Sequence, residues 1–234
     1  MSGIVFTIVQ NDFIGLKLWL DYYKRYFDAI HVIGRGTRDE NLPALEAMGK
    51  EYNFTHEVHG ILGDPREEAK NLSDRAAEYH RSYDWVLYCD MDEFLVADPR
   101  LYDALKDLMD CHPGPWVACT AYDVLQLEDE EPIDFEKPYL TQRKYWIRNK
   151  DYNKVLLSKI PIYWGAGLHQ INEVNEEMSK KIDRTGLFLT HLKNADPHAE
   201  GRDLGPTLSN RHYGTVTQNQ PNLELIPKEV RRAF

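Results

Sequence analysis

The segment WVLYCDMDEFLVADP (85–99) joins an apolar run to three acidic residues and then returns to apolar sequence. The first run predicts a buried strand, and Asp90, Asp92 and Glu93 follow it directly. Like charges this close together make each carboxylate harder to ionise, so an uncompensated cluster would weaken the fold. We therefore expect a positive partner at the end of this strand.

Strands and helices alternate along the first half of the chain. Apolar, β-branched runs such as GIVFTIV (3–9) are typical of strands buried on both faces, and the segments between them carry helical periodicity. The predicted strands are 3–9, 29–34, 54–58, 84–89 and 116–122, and the predicted helices are 13–27, 44–52, 66–81 and 99–110. This alternation predicts an α/β fold with a mostly parallel, doubly wound sheet.

Two helix starts carry the same signal. Asp64 and Asp98 are each followed by proline, so each is predicted to be an N-cap with proline at the first helical position. After residue 122 the alternation stops, and the sequence predicts antiparallel strands and long loops. We expect one domain at 1–196, made of parts 1–122 and 123–196, and a loosely ordered tail or lid at 197–234.

Composition narrows the classes of partner. The 234 residues carry a formal net charge of −10, and the 28 Lys and Arg residues are scattered, so we expect no nucleic-acid partner. No apolar run approaches the ~20 residues of a membrane span, and the start lacks a secretory signal. We therefore expect a cytoplasmic protein. An anionic small molecule is compatible with this charge if a metal ion supplies positive charge.

The acidic segment is a candidate metal site. Ligands of open parallel sheets bind beyond the carboxyl ends of the strands, where Asp90 and Asp92 are predicted to lie. Residues two apart point the same way in an extended chain, so both carboxylates would face one ion. Oxygen ligands suit Mg²⁺ or Mn²⁺, and Mg²⁺ commonly completes its coordination with water and substrate phosphates.

Four segments, in order, resemble one enzyme family. They are IVQNDFIGLKLWLDYYKRYFDAIHVIGRGTRDEN (8–41), WVLYCDMDEF (85–94), KVLLSKIPIYWGAGLHQI (154–171) and LFLTHLKNAD (187–196). Together they resemble the glycosyltransferases of the GT-A fold that are similar to glycosyltransferase family 2. The most specific segment is 85–94, which resembles the D-x-D metal motif of that family with its Glu-Phe extension.

The resemblance implies a metal-dependent transfer of a sugar from a nucleotide-sugar donor to a glycan or other hydroxyl acceptor, with inversion. Residues 1–122 would bind the nucleotide, and residues 123–196 would shape the acceptor pocket. Asp90 and Asp92 would hold Mn²⁺ or Mg²⁺ on the donor diphosphate. His191 would supply a further metal or phosphate contact.

The resemblance also implies donor-binding residues besides Asp90. Asn11 and Asp12 stand where the family has Asn-Glu, and Asp12 is a candidate nucleotide contact. Arg35 stands in the turn where the family places an acidic residue for the base, and Asp39 retains an acid at the end of that turn. Lys154 is a candidate contact for the diphosphate.

An inverting transfer needs a base within hydrogen-bond reach of the acceptor hydroxyl. Asp129 resembles the second residue of a Glu-Asp pair in the family, although an acidic run such as QLEDEEP is ordinarily a solvated loop. His169 and Glu173 are the other candidates.

Two alternatives remain at this point. A phosphotransferase of the haloacid dehalogenase type also places D-x-D after an apolar strand, but there the first aspartate follows the first strand, whereas here three predicted strands precede it. A non-catalytic, carbohydrate-binding or scaffolding relative of the transferases is the second alternative. Turnover of a phosphate ester against that of nucleotide sugars distinguishes the first alternative from the transferase, and metal-dependent nucleotide binding distinguishes the second.

Overall fold

The computed structural model describes residues 1–60, 64–150, 153–168, 171, 186–192 and 222–232. The strands are β1 Gly3–Val9, β2 Ala29–Arg35, β3 Thr55–His59, β4 Trp85–Tyr88, β5 Glu93–Ala97, β6 Trp116–Ala118, β7 Thr120–Leu125, β8 Tyr145–Arg148, β9 Val155–Ser158, β10 Leu187–His191 and β11 Leu223–Leu225. The helices are α1 Phe13–Tyr23, α2 Leu42–Tyr52, α3 Pro65–Tyr79, α4 Leu105–Cys111 and α5 Lys228–Arg232. Within these ranges, no helix is long and apolar enough to cross a membrane.

The first sheet has the strand order β3-β2-β1-β4-β9-β6. β3, β2, β1 and β4 are parallel neighbours, and β9 lies antiparallel between β4 and β6. The apolar runs of β1 and β4 are buried, as expected for central strands. The predicted α/β class with a mostly parallel sheet is confirmed.

The second sheet has the order β11-β8-β7-β10-β5, and all of its strands except β5 come from residue 120 onward. Its pairs are antiparallel except for the parallel pair of β7 and β10, which confirms the expected change after the first half. Residues 222–232 belong to this part of the fold, because β11 pairs with β8 and Ile226 N–H donates to the Lys144 carbonyl at 2.8 Å.

The prediction of one strand at 116–122 is wrong, because the chain passes from one sheet to the other at Cys119. β6 ends at Ala118 in the first sheet, and β7 begins at Thr120 in the second. The Cys119 N–H donates to the Lys154 carbonyl at 3.1 Å, and the Ala121 N–H donates to Asn153 Oδ1 at 2.9 Å. Ala118 pairs with Val155 in the first sheet, whereas Thr120 pairs with Phe188 in the second, so one apolar run contributes to two different ladders.

The predicted start of the helix at 99–110 is also wrong. The carbonyl of Asp98 accepts the N–H groups of Leu101 and Tyr102, which closes one turn, and α4 begins only at Leu105. A second start follows there, since the Asp107 carboxylate accepts the Ala104 N–H at 3.1 Å. The equivalent prediction for α3 is confirmed: Asp64 caps it by accepting the Arg66 N–H at 2.8 Å.

Helix α1 connects the first sheet to β5 of the second through two buried tyrosines. Tyr22 donates its hydroxyl to the Leu95 carbonyl at 2.6 Å. The Tyr23 hydroxyl accepts the Leu95 N–H at 3.0 Å and donates to the Glu93 carbonyl at 3.2 Å. Because β5 begins at Glu93, these bonds fix the far end of the acidic segment.

Asp12 holds the junction between β1 and α1. Its carboxylate is buried and accepts the Gly15 N–H at 2.9 Å, as an N-cap does. A Cβ at Gly15 would lie 2.7 Å from Asp12 Oδ2, so the cap needs glycine at this position. The residue thus has a structural role besides the nucleotide contact implied by the family resemblance.

We expect Asp12→Ala to lower the free energy of unfolding by about 1–2 kcal/mol, because a helix N-cap is lost, while Asp12→Asn keeps most of the stability. Urea denaturation of both variants measures the difference. Asp39→Ala is the control, since Asp39 is exposed and makes no capping bond. Equal stability of Asp12→Ala and the wild type would exclude the capping role.

Candidate active site

Residues 90–93 form a tight turn, here called the acidic turn, between β4 and β5. The Glu93 N–H donates to the Asp90 carbonyl at 3.0 Å, so the backbone is not extended and the alternation argument for Asp90 and Asp92 is wrong. The side chain of Asp90 is 44% exposed and that of Asp92 is 22% exposed, whereas Glu93 is 1% exposed. The turn therefore presents two carboxylates outward and one inward.

The expected positive partner of the turn is Lys154, which precedes β9. Its ammonium lies 2.6 Å from Glu93 Oε1 and 3.7 Å from Asp90 Oδ2, and its side chain is 2% exposed. Glu93 Oε2 in turn accepts the Asp90 N–H at 3.3 Å, and Tyr88 donates its hydroxyl to Asp90 Oδ1 at 2.5 Å. Lys154 thus faces the acidic turn from the protein interior.

The two buried partners influence each other's ionisation. Burial raises the pKa of Glu93, and the Lys154 ammonium opposes that rise. Burial lowers the pKa of Lys154, but Glu93 and Asp90 outweigh it, so the pKa of Lys154 is raised. The 2.6 Å contact is a charge-assisted hydrogen bond, which favours the ionised pair at neutral pH.

A row of three residues crosses the second sheet beside the turn. His191 of β10 is paired in register with Glu93 of β5 on one side and with Asp123 of β7 on the other. Its Nδ1 lies 3.0 Å from Asp123 Oδ1, and its Nε2 lies 3.3 Å from Asp92 Oδ2. Asn149 Nδ2 donates to the other Asp123 oxygen at 2.7 Å. His191 is therefore held between two carboxylates.

This environment determines the protonation of His191. Burial lowers the pKa of the imidazole, but Asp92 and Asp123 outweigh burial and raise it to about 10. At neutral pH both ring nitrogens therefore carry protons and donate to the two carboxylates. Asp123 was not among the predicted site residues, because an acid within the strand TAYDVL has no distinguishing sequence signal and is placed only by the strand register.

The donor-binding candidates of the first half lie at the ends of β1 and β2. Asn11 has a positive φ of 59°, and its Oδ1 accepts the Arg38 N–H at 3.1 Å and an Asn41 side-chain N–H at 2.9 Å. Asp39 is exposed in the short 3₁₀ turn that precedes α2. Arg35 is partly buried and pairs with Glu68 of α3.

A cavity of about 420 Å³ lies between α3 and the carboxyl-terminal residues of β1, β2 and β3. Ile8, Ile33 and Leu72 give it an apolar surface, and Arg35 lies at its wall. Both of its arginines are paired with carboxylates. Arg75 Nη2 lies 2.6 Å from Glu57 Oε1, and Arg35 pairs with Glu68. We call this space the strand-end cavity. Its lining contains no residue of the acidic turn.

The candidate bases are not brought together with the turn in the described ranges. Asp129 is exposed in the bend after β7, and the contacts of the described residues do not link it to Asp90 or Asp92. His169 and Glu173 lie outside the described residues.

The acidic turn fits a metal ion that is completed by substrate. No group of three or more His, Cys, Asp or Glu side chains in the described residues is arranged to hold a metal. Asp90 and Asp92 nevertheless present partly exposed hard oxygen donors, and Mg²⁺ or Mn²⁺ binds to one or two carboxylates when waters and phosphates fill the remaining positions.

We expect Lys154→Met and Glu93→Gln each to lower the free energy of unfolding by about 3 kcal/mol, because each leaves a buried polar or charged group without its partner. The double variant should lose less than the two single losses together. Guanidinium denaturation measures this cycle. The matched control is the exposed pair Lys70–Asp74, whose variants Lys70→Met and Asp74→Asn should change stability little. Additive losses at Lys154 and Glu93 would contradict the coupling.

The raised pKa of His191 predicts a pH dependence in protein kept free of metal by a chelator. Below the ordinary pKa of 6.5 the imidazole is protonated in both states, and its stabilisation is fully present. As the pH rises from 6.5 towards 10, only the folded state holds the proton, so the free energy of unfolding falls. In denaturation experiments between these pH values, the free energy of unfolding of His191→Gln should fall less steeply with pH than that of the wild type. His59→Gln, at an exposed histidine, is the control, and equal slopes for His191→Gln and the wild type would contradict this expectation.

The sequence matches no protein-family model, and no curated protein matches it. Solved structures similar to the chain at low levels include three that represent different enzymes. S. aureus TarS is 15% identical with a TM-score of 0.35, and the match covers 57% of this chain and 23% of the TarS chain. 4-Diphosphocytidyl-2C-methyl-D-erythritol synthase is 13% identical with a TM-score of 0.40, and the match covers 82% of this chain and 90% of the synthase. The galactosyltransferase LgtC, with donor and acceptor sugar analogs, is 18% identical with a TM-score of 0.33, and the match covers 68% of this chain and 58% of LgtC. The chain spans about a quarter of the TarS chain. With TM-scores of 0.40 or less, these similarities carry no conclusion about function.

Proposed function

We propose that this protein is a glycosyltransferase of the GT-A type that uses a nucleotide-sugar donor and Mn²⁺ or Mg²⁺. The observation that carries the proposal is the acidic turn, which presents Asp90 and Asp92 outward at the carboxyl end of β4. The strand-end cavity lies at the same edge of the parallel sheet. Ligands of open α/β sheets bind at this edge.

The strand-end cavity suits the nucleoside part of a donor. Its apolar residues Ile8, Ile33 and Leu72 offer a surface for a flat ring, and the paired Arg35 and Glu68 offer polar groups at its wall. Its volume, about 420 Å³, is within the range of small-molecule sites.

The diphosphate would lie at the acidic turn, where Asp90 and Asp92 would hold the metal ion. Bound there, the metal would neutralise the charge that develops on the leaving nucleoside diphosphate. The protein's own contribution is to keep the turn in place: Lys154 and Glu93 support Asp90 from inside, and His191 holds Asp92.

The remaining step is removal of the acceptor proton. An inverting transfer places a base beside the acceptor hydroxyl, and Asp129, His169 and Glu173 are our candidates. Asp129→Asn tests the first of them: loss of transfer with unchanged donor binding would support it, and full activity would assign the base elsewhere.

The central test is the metal dependence of nucleotide binding. We expect titration calorimetry with a panel of nucleoside diphosphates to detect binding that requires Mn²⁺, and Asp92→Asn to abolish both this binding and the release of nucleotide from a sugar donor. Asp103→Asn is the matched control, because Asp103 is exposed and precedes α4. The melting temperature of each variant confirms that it is folded.

The outcomes separate the alternatives. Full activity of Asp92→Asn would remove the acidic turn from the mechanism. Hydrolysis of a phosphate ester without turnover of any nucleotide sugar would favour the phosphotransferase, and absence of metal-dependent nucleotide binding would favour a non-catalytic protein.

A further inference from the structure

A second cavity, of about 340 Å³, lies beside the first turns of α3. We call it the rim cavity. It is lined by Arg66, Lys70, Ser73, Tyr163, Trp164, Gly165 and Ala166. Arg66, Lys70 and Ser73 are spaced by four and three residues and so share one face of α3, whereas Glu68, Leu72 and Arg75 face the strand-end cavity. The two cavities therefore flank the same helix.

The wall of the rim cavity is firmly held. The Trp164 backbone N–H donates to Ser73 Oγ at 2.9 Å, and its indole N–H donates to the Val155 carbonyl at 2.9 Å. Trp164 is buried, but the side chain of the adjacent Tyr163 remains 44% exposed. A fixed wall with an exposed aromatic ring beside it is suited to a sugar or polyol, whose C–H groups pack on aromatic faces.

The charge of the rim cavity is positive, although the whole chain has a net charge of −10. Among the described residues of its lining, Arg66 and Lys70 are the charged ones, and both are cationic. Lys70 has an exposed pair with Asp74 at 2.5 Å, and no described carboxylate lies within ion-pair distance of the Arg66 guanidinium. In the strand-end cavity, by contrast, both arginines are already paired.

The rim cavity is connected to the acidic turn by one aromatic contact. The ring centroids of Trp164 and Tyr88 are 5.9 Å apart, and the Tyr88 hydroxyl donates to Asp90. Trp164, which lines the cavity, thus packs against the tyrosine that holds Asp90, one of the two carboxylates that we propose bind the metal.

We propose that the rim cavity binds the acceptor and that the acceptor is a sugar or polyol bearing a phosphate or carboxylate group. Arg66 and Lys70 would bind the anionic group, and Tyr163 would pack on the ring. This inference rests on the proposed function, which it extends by naming the substrate class. The donor diphosphate is the other source of an anion at this edge of the sheet, and the test distinguishes the two.

The test measures ligand binding by titration calorimetry. Glucose 6-phosphate and glucuronate are the anionic probes, and glucose is the neutral probe. A nucleoside diphosphate with Mn²⁺ represents the donor. We expect Arg66→Gln/Lys70→Gln to weaken binding of an anionic probe by about tenfold, since charge-assisted bonds are lost, and to leave donor binding unchanged. Tyr163→Ala should also weaken binding of the anionic probe. Lys50→Gln/Arg81→Gln removes the same charge from exposed positions elsewhere and should have little effect.

Three results would overturn the inference. The first is that the wild type binds neither anionic probe more tightly than glucose. The second is that the two double variants weaken binding of the anionic probe equally. The third is that Arg66→Gln/Lys70→Gln loses donor binding, which would assign the anion to the donor. The proposed function fails separately, if the wild type shows no Mn²⁺-dependent nucleotide binding.

Discussion

The buried ion pair of Lys154 and Glu93 is the interaction on which the candidate site depends. A turn that carries three carboxylates in four residues is unfavourable unless a cation compensates part of the charge. The fold supplies that cation from the residue directly before β9, the strand that runs antiparallel to β4, so one ammonium lies under Glu93 and near Asp90. Because Glu93 also accepts the Asp90 N–H, the pair sets the backbone of the turn as well as its charge.

The site is formed where the two sheets meet, and this explains why it needs residues from distant parts of the chain. The acidic turn connects β4 of the first sheet to β5 of the second, and the Cys119 junction connects β6 to β7 in the same way. Lys154 therefore comes from the start of a strand of the first sheet, β9, while Asp123 and His191 lie in strands of the second. Neither sheet alone contains the full set of charges.

The sequence predicted the features that depend on local patterns. Apolar runs identified β1, β2 and β4, and Asp64-Pro65 identified the start of α3, because strands buried on both faces and helix caps have short-range signals. The break at Cys119 and the turn at Asp98 were missed, since sheet membership depends on partners far along the chain. The same reason limits what could be predicted of the site. The sequence identified four of its residues as candidates, namely Asp90, Asp92, Lys154 and His191. The inward position of Lys154 and the role of Asp123 follow only from strand pairing.

The balance of charge around the acidic turn is consistent with the metal that we propose. Asp90, Asp92, Glu93 and Asp123 contribute four carboxylates, and Lys154 with protonated His191 supplies two cations. Lys154 lies closer to Glu93 than to Asp90, and His191 is shared between Asp123 and Asp92, so these six groups together carry a net charge of −2. An excess of two negative charges in a cluster that includes partly exposed oxygen atoms would attract a divalent cation, and that cation would in turn allow an acidic protein to bind an anionic diphosphate.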